Sequence, residues 1–531
     1  MPRYYVENFG CRATQADGGA LERQFEECGL ARAETPGQAA VVVLNTCTVT
    51  AAADHDARAA IRRVQRQNPE AKIVVTGCYA QRAPEEIAAL PGVSCVIGNS
   101  HKHQLAEIAL NRAVEASAPE GFVPLGELIS SSQRTTDGRR PIFVSDIFAH
   151  TELLAAPVFE GDCDEGARTR PNLKIQDGCD NRCSFCVIPY VRGQSRSLAS
   201  DRIIREVKAL VEAGYREVVL SGINLGRWGR DLAVGRRPSA VGDSLAAATH
   251  NPGLASLVRA ILEETAVEKV RLSSIEPMDW SDELIGLVAG SPRIAKHAHV
   301  PMQSGSDAVL RRMHRKYRPW HYRGKIEKIR AAMPTAAIGA DVMVGFPGET
   351  DTEFDATRRM IEDLPFTYLH VFTYSARPGT PAAGMANQVA VHVARERNRV
   401  LRELVAEKKL AFMRSFVGKE MEAITLRPGC AGESPAPTQF TRAGESAAAT
   451  RSTEALTENY LKLRVKGTHE ANRWVRVRVE DVTGGALVGT LNEERRGEQF
   501  IADSPAGSLD LLARDRGVVE PEHVSVDLPV R

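Results

Sequence analysis

Aromatic residues are scarce, at 5% of 531 residues. No apolar run approaches the roughly 18 residues that a membrane-spanning helix needs, which argues against a membrane partner. The opening stretch MPRYYVENFGC lacks the apolar core of a secretory signal, so a cytoplasmic location is expected. Charge of one sign is also missing. Lys and Arg number 68 against 67 Asp and Glu, a net +1, so no global field draws the chain to nucleic acid and any such contact must be local. With 43% apolar and 25% charged residues the composition is that of a soluble globular protein. The length suits several domains rather than one. Ten cysteines are present, and in a long chain of this kind they suit metal binding or chemistry better than disulfides.

The apolar pattern divides the chain. Over residues 1–115 the short apolar runs YYVENFG, AAVVVLNT, KIVVTG and SCVIG alternate with helical stretches such as GALERQFEECGL. That order predicts an α/β domain with a parallel sheet. Residues 116–168 lose the rhythm and read as an irregular linker. From 169 to 417 six strand candidates, LKIQDG, REVVLSG, KVRLSS, KHAHVPM, AIGADVMVG and YLHVFTY, alternate with helices. They suit a partial (β/α)6 barrel, two units short of the complete one. A polar stretch at 228–252 reads as a surface insertion, and a charged helix is expected over 391–417. Residues 418–492 hold MEAITL, NYLKLRVKG, RWVRVRVED and ALVGTL, which predict a small antiparallel β-barrel. The segment 428–455 reads as a disordered insertion in it. The extension 493–531 carries no usable pattern.

GCDNRCSFC places Cys179, Cys183 and Cys186 on one tight loop after LKIQDG. Electron-transfer 4Fe–4S clusters use four cysteines; three leave one iron without a protein ligand. S-adenosylmethionine (SAM) can fill that corner through its amino and carboxylate groups, and an electron from the cluster would break its sulfonium bond. A zinc knuckle would need a fourth ligand, and His150 and His250 are far along the chain. A redox dithiol would leave Cys179 unexplained.

Cys11, Cys47 and Cys78 each end an apolar strand, in YYVENFGC, VVVLNTC and IVVTGC. The carboxyl ends of parallel strands share one edge, where ligands gather, so these three can form a second cluster seat. Gly10 and Gly77 beside them allow close backbone approach. Buried small hydrophobes are the alternative, and that is the expectation for Cys28 and Cys95. Cys163 and Cys430, in polar loops, are assigned nothing.

In order along the chain, NTCTVT, TGCYAQ, GCDNRCSFCVIPYVRG, SGINLG, SSIEP, HVPMQSGSD, DVMVGFPGET and FTYSARPGTPA resemble the radical-SAM methylthiotransferases, and the terminal barrel resembles their RNA-binding TRAM module. The resemblance implies that Cys179, Cys183 and Cys186 hold the SAM-cleaving 4Fe–4S cluster. It implies that Cys11, Cys47 and Cys78 hold an auxiliary 4Fe–4S cluster that delivers sulfur. NTCTVT followed by AAADHDAR, with CSFCVIPYVRGQSRS, looks most like the enzymes acting on threonylcarbamoyladenosine beside the tRNA anticodon. The alternatives are isopentenyladenosine in tRNA, a ribosomal-protein aspartate, or a non-catalytic iron–sulfur RNA-binding protein. The substrate would be the anticodon stem-loop, and a flavodoxin or ferredoxin would supply electrons.

Strand-end residues Ser221, Gly222, Ser274, Glu276 and Gln303 are the expected SAM contacts, by barrel topology and by the resemblance. Each could equally cap a loop. Arg192 and Arg196 could pair with carboxylate or phosphate, or be solvated at the surface. Lys462, Arg464, Lys466, Arg476 and Arg478 alternate with apolar residues, which puts cations on one face of each strand for phosphate contact. A solvated sheet face would look the same, and RRMHRKYR at 311–318 is a second basic candidate or an exposed helix end.

Overall fold

The structure is a computed structural model that describes residues 1–110, 140–150, 169–234, 253–427 and 452–494. Cys163, Cys430, the extension from 495 onward and most of the three expected insertions lie outside the described residues. Everything below concerns the unit Met1–Glu494.

The first strands are β1 (Arg3–Asn8), β2 (Ala31–Arg32), β3 (Val41–Thr46), β4 (Lys72–Gly77), β5 (Val93–Ile97) and β6 (Ile142–Phe143). They form one parallel sheet in the order β2-β1-β3-β4-β5-β6. Every residue of β3 is buried, because helices cover both faces and leave no polar side to alternate with. Thr50 caps the helix Ala51–Gln67 by accepting from the Ala53 N–H at 3.2 Å. The linker expected over 116–168 needs correcting: Ile142 and Phe143 pair with Val96 and Ile97 and extend the sheet.

All six expected barrel strands are present: β7 (Asn172–Asp177), β9 (Glu217–Gly222), β10 (Lys269–Leu272), β11 (His297–His299), β12 (Ala337–Val344) and β13 (Tyr368–Thr373). A short β8 (Arg196–Ser197) runs antiparallel beside β7. Ladders join β7-β9-β10 and β11-β12-β13. Parallel bridges Val270–Ile294 and Ser274–His299 connect the two halves. One large apolar core fills the space between strands and helices. The expected surface insertion at 228–252 begins inside that core. Trp228 is 1% exposed and donates its indole N–H to the Leu198 carbonyl at 2.9 Å.

The terminal barrel is closed by β14 (Glu420–Thr425), β15 (Ser452–Thr457), β16 (Lys462–Lys466), β17 (Trp474–Thr483) and β18 (Ala486–Glu494), in the order β14-β15-β16-β18-β17. β15 overlaps the expected insertion 428–455. Its first three residues, Ser452, Thr453 and Glu454, are not buried, so their polarity resembles that of a loop. The long helix is Val391–Arg414. No helix among the described residues is long and apolar enough to cross a membrane.

A turn of this barrel seats it on the central one. Tyr460, held at φ +66°, lies 4.9 Å from the His297 ring, and the Arg271 guanidinium stands 5.5 Å over the tyrosine. Arg271 also donates to the Glu458 carbonyl at 2.9 Å, and Lys269 pairs with Glu458 at 3.4 Å. Tyr460→Ala is expected to loosen this joint. Limited proteolysis should then cut near residues 415–419 faster than in the parent protein, and an unchanged cleavage rate would refute the role.

Candidate active site

Cys11, Cys47 and Cys78 follow β1, β3 and β4 on one edge of the sheet. Cys11 precedes the helix Arg12–Glu27, and Cys78 opens the helix Cys78–Arg82. Cys47 and Cys78 are buried, whereas Cys11 is exposed. Gly10, at φ +97°, lies so close to Cys47 that a Cβ there would meet the Cys47 Cβ at 2.6 Å and Sγ at 2.9 Å. Gly77, at φ +96°, is pressed against the Thr46 backbone in the same way. The two glycines therefore bring neighbouring cysteine loops together. Burial, then the nearby Cys78 and Cys11, push the Cys47 thiol up to about 12. A buried thiol raised in this way ionises readily only when a cation shares it, and iron is such a cation. Thr48 and Asp54 brace the seat: Thr48 donates to Asp54 at 2.6 Å, Arg82 pairs with Asp54 at 3.0 Å, and Arg377 contacts the same carboxylate.

Cys179, Cys183 and Cys186 occupy one loop after β7. The Asn181 N–H points at Cys179 Sγ from 3.4 Å and the Asn224 amide from 3.8 Å. Arg315 donates to Cys183 Sγ at 3.1 Å and contacts Glu276. Burial, then Cys183, push the Cys186 thiol up to about 12. Three mutually opposed thiols surrounded by N–H donors fit a three-legged iron–sulfur seat. The expected SAM contacts stand at the same carboxyl edge. Ser221 and Gly222 end β9, and Ser274 bridges to His299. Glu276 is held by Arg315. The Ser221 hydroxyl is buried without a hydrogen bond among the described residues. Gln303 has φ +63° and is fixed through its backbone, its N–H donating to the Asp341 carbonyl at 2.8 Å and its carbonyl accepting from Met343 at 2.8 Å. A non-glycine residue held there is the kind of strain found at ligand sites.

Five buried charges join the two seats. Lys102 pairs with Asp17 at 2.9 Å, Lys174 with Asp177 at 2.8 Å and also with Asp17. Arg192 reaches both acids, each at 3.0 Å. Burial alone would raise the Asp17 carboxyl, but Lys102, Lys174 and Arg192 outweigh it and hold it well below the usual range. Arg192 and Lys174 do the same for Asp177. Beside this knot, Cys78 packs against Val187 and Val191, and Asn99 spans from Cys78 Sγ (3.7 Å) to the Val191 carbonyl (2.8 Å). Val187 directly follows Cys186, so the seats share a wall. Arg192 is thus buried in the knot, neither solvated nor free for phosphate. Arg196 donates to the backbone carbonyls of His150 and Arg192, at 2.9 and 3.0 Å.

Asp17, Lys102, Asn99 and Arg315 were not legible as site residues. Lys174 and Asp177 carried a usable signal, since charges inside a doubly covered strand must find partners. Cys95 is buried as expected, whereas Cys28 is only half-buried at the edge of the same core. RRMHRKYR is only partly exposed, with Arg315 buried and Arg312 paired to Glu353 at 2.8 Å. On the terminal barrel Lys462, Arg464, Lys466 and Arg478 face solvent, with Arg476 half-buried. Their two rows are not on neighbouring strands, because β18 lies between β16 and β17. Acids also interleave: Glu454 opposes Arg464, Glu422 opposes Arg476, Glu420 opposes Arg478, and Glu480 pairs with Lys466 at 2.5 Å.

Residues 3–98 match the uncharacterized protein family UPF0004, and residues 173–361 match the Radical SAM superfamily. The second match runs from β7 through β12 and includes the cysteine loop, which defines a radical-SAM enzyme. The chain is 37% identical over 398 residues to the threonylcarbamoyladenosine tRNA methylthiotransferase MtaB of Bacillus subtilis (strain 168), covering 75% of this chain and 79% of that one. It is 32% identical over 474 residues to the protein of the same name from Aquifex aeolicus (strain VF5), covering 89% and 98%. It is also 33% identical over 430 residues to a tRNA-2-methylthio-N(6)-dimethylallyladenosine synthase of Novosphingobium aromaticivorans, covering 80% and 87%. The chain belongs to the radical-SAM methylthiotransferases. Its cofactors are two 4Fe–4S clusters and SAM.

Replacing Arg192 by Met strands two buried carboxylates on the remaining lysines, and such a loss costs about 3–5 kcal/mol. Urea unfolding of the protein should register it, and a change below about 1 kcal/mol would deny the knot its role. Gly10→Val should lose about half the iron of the reconstituted protein, the share of one four-iron cluster. Full iron in that variant would mean that the close approach to Cys47 is dispensable.

Proposed function

We propose that the chain transfers a methylthio group to C2 of threonylcarbamoyladenosine beside the anticodon of a tRNA. The observation that carries this reading is the shared wall between the two cysteine trios, with Cys78 packed on the residue next to Cys186. A target C–H too weakly acidic for any side-chain base calls for a radical, which the SAM-bound cluster supplies, while the auxiliary cluster supplies sulfur. Cys179, Cys183 and Cys186 hold the first of these groups, and Cys11, Cys47 and Cys78 the second. Ser221, Gly222, Ser274, Glu276 and Gln303 bind and orient SAM at the strand ends. Arg315 keeps the Glu276 carboxylate beside Cys183.

In this reading residues 1–115 form the sulfur-delivering domain, 169–417 the SAM domain and 418–492 the RNA-binding domain. Lys462, Arg464, Lys466, Arg476 and Arg478 contribute phosphate contacts, and a flavodoxin or ferredoxin reduces the clusters in the cytoplasm. The subtype rests on the short stretches around Cys47 and Cys186, and on relatives named for threonylcarbamoyladenosine at up to 37% identity. A relative named for dimethylallyladenosine reaches 33% and supports isopentenyladenosine as the second reading.

The test is mass spectrometry of tRNA nucleosides from cells lacking the gene. The methylthio form of threonylcarbamoyladenosine should disappear and return on complementation. Its persistence, with loss of the isopentenyl analogue instead, would transfer the assignment.

A further inference from the structure

The inner faces of β11, β12 and β13 form a slot beneath the SAM edge. Residues on one face of a strand alternate, and the register sets His299 beside Gly339, Asp341 beside His370, and Met343 beside Phe372. The floor is aromatic, with Tyr368 half-buried. The Tyr368 hydroxyl is bonded to His297 Nε2 at 2.7 Å, and Tyr460 lies against both rings. Gly339 gives the Tyr368 ring the room that a Cβ would take. Above the floor stand His299, Asp341 and His370. His299 Nε2 is 3.4 Å from Asp341 Oδ1, and the His299 and His370 rings are 5.6 Å apart. The His299 residue is 9% exposed, yet its Nδ1 makes no hydrogen bond among the described residues. The Asp341 side chain keeps 28% of its surface accessible, and Phe372 at the lip is 46% exposed. The Asp341 backbone carbonyl receives the Gln303 N–H, so the slot adjoins the SAM edge directly.

A slot with an aromatic lip, a polar middle and an aromatic floor suits a planar base carrying a hydrogen-bonding substituent. A ureido-acid substituent offers N–H donors together with carbonyl and carboxylate acceptors. Asp341 can take the N–H groups. An imidazole has at least one N–H in either charge state, so His299 and His370 can each give one to the acceptors. An aliphatic substituent would leave the His299 Nδ1 and the His370 ring desolvated with no partner on the substrate, at about 1–3 kcal/mol for each group. From this geometry we propose that His299, Asp341 and His370 bind the threonylcarbamoyl group of the substrate adenosine and reject an aliphatic one. This rests on the functional reading above and adds where the substrate's distinguishing group sits.

The test uses the reconstituted holoenzyme and three anticodon stem-loops, carrying threonylcarbamoyladenosine, isopentenyladenosine and unmodified adenosine. Binding and methylthiolation of each are measured for the parent protein and for His299→Gln, Asp341→Asn and His370→Gln, with iron content checking that the clusters are seated. The parent should prefer the modified loop, and each variant should lose that preference roughly ten- to hundredfold, with KM for the modified loop rising more than kcat falls. Variants that keep the parent's preference would overturn the inference and leave the functional reading intact. A parent protein that methylthiolates only an isopentenyladenosine loop would overturn the functional reading itself. The same three side chains offer ligand atoms within 4.8 Å of one another. One further metal ion per chain beyond cluster iron, lost in His370→Gln, would also overturn the inference, making the triad a metal site.

Discussion

The buried knot of Asp17, Lys102, Lys174, Asp177 and Arg192 is the constraint on which the site depends. Its members come from the helix that starts beside Cys11, from the segment after β5, from the strand that leads to Cys179, and from the turn of helix beyond Cys186. Buried charges are tolerated only when paired with good geometry, so the knot ties down every segment that carries one of its charges. Three cations against two anions leave a positive excess. The Cys78 and Cys11 thiols lie close enough to Arg192 to reinforce its charge. A cluster carried on thiolates brings the negative charge that this excess calls for. The knot therefore does two things at once: it fixes the spacing of the seats and it makes an electropositive wall beside the auxiliary one.

Much of this was legible beforehand, for a physical reason. Parallel strands covered on both faces must be apolar runs, and the turns after them must gather at one edge. Strand-ending cysteines in three such runs therefore identify a seat without any structure, and the loop Cys179–Cys183–Cys186 identifies another by spacing alone. What could not be read were pairings between segments far apart in the chain. Lys174 and Asp17 are separated by 157 positions, and nothing local to either names the other. Arg192 looked like a surface cation because its partners lie on other elements. β6 and the first half of β15 were hidden differently. β6 is only two residues long and the first half of β15 is polar and unburied, so the strand character of each comes from the neighbour it pairs with.

The terminal barrel illustrates the limit of charge counting. Alternation correctly put Lys462, Arg464 and Lys466 on one outward face, since period two is intrinsic to a strand. Whether two such rows merge depends on strand order, which alternation does not encode. With β18 between them and glutamates across the ladders, the five cations present a mixed surface. Phosphate affinity scales with the number of phosphates neutralised, and cations already shared with carboxylates contribute less of it. Under the function proposed above, such contacts would add affinity rather than selectivity for the RNA, and the Tyr460 turn holds the barrel that makes them against the central one.

That places the burden of discrimination inside the barrel, where desolvation makes it strong. A hydrophobic pocket separates ligands by only a few kcal/mol, whereas a site built to hydrogen-bond rejects a ligand that cannot reciprocate far more sharply. The slot floored by Tyr368 is of the second kind. His299 is buried with an unmet ring nitrogen, Asp341 faces two imidazoles, and the Asp341 carbonyl itself fixes the Gln303 backbone. A substituent that satisfies those groups is drawn to full depth, which sets the distance between the adenine and the SAM edge. Recognition of the substituent and positioning of the reacting carbon are then a single event, and a radical formed before that event would find no correctly placed hydrogen to remove.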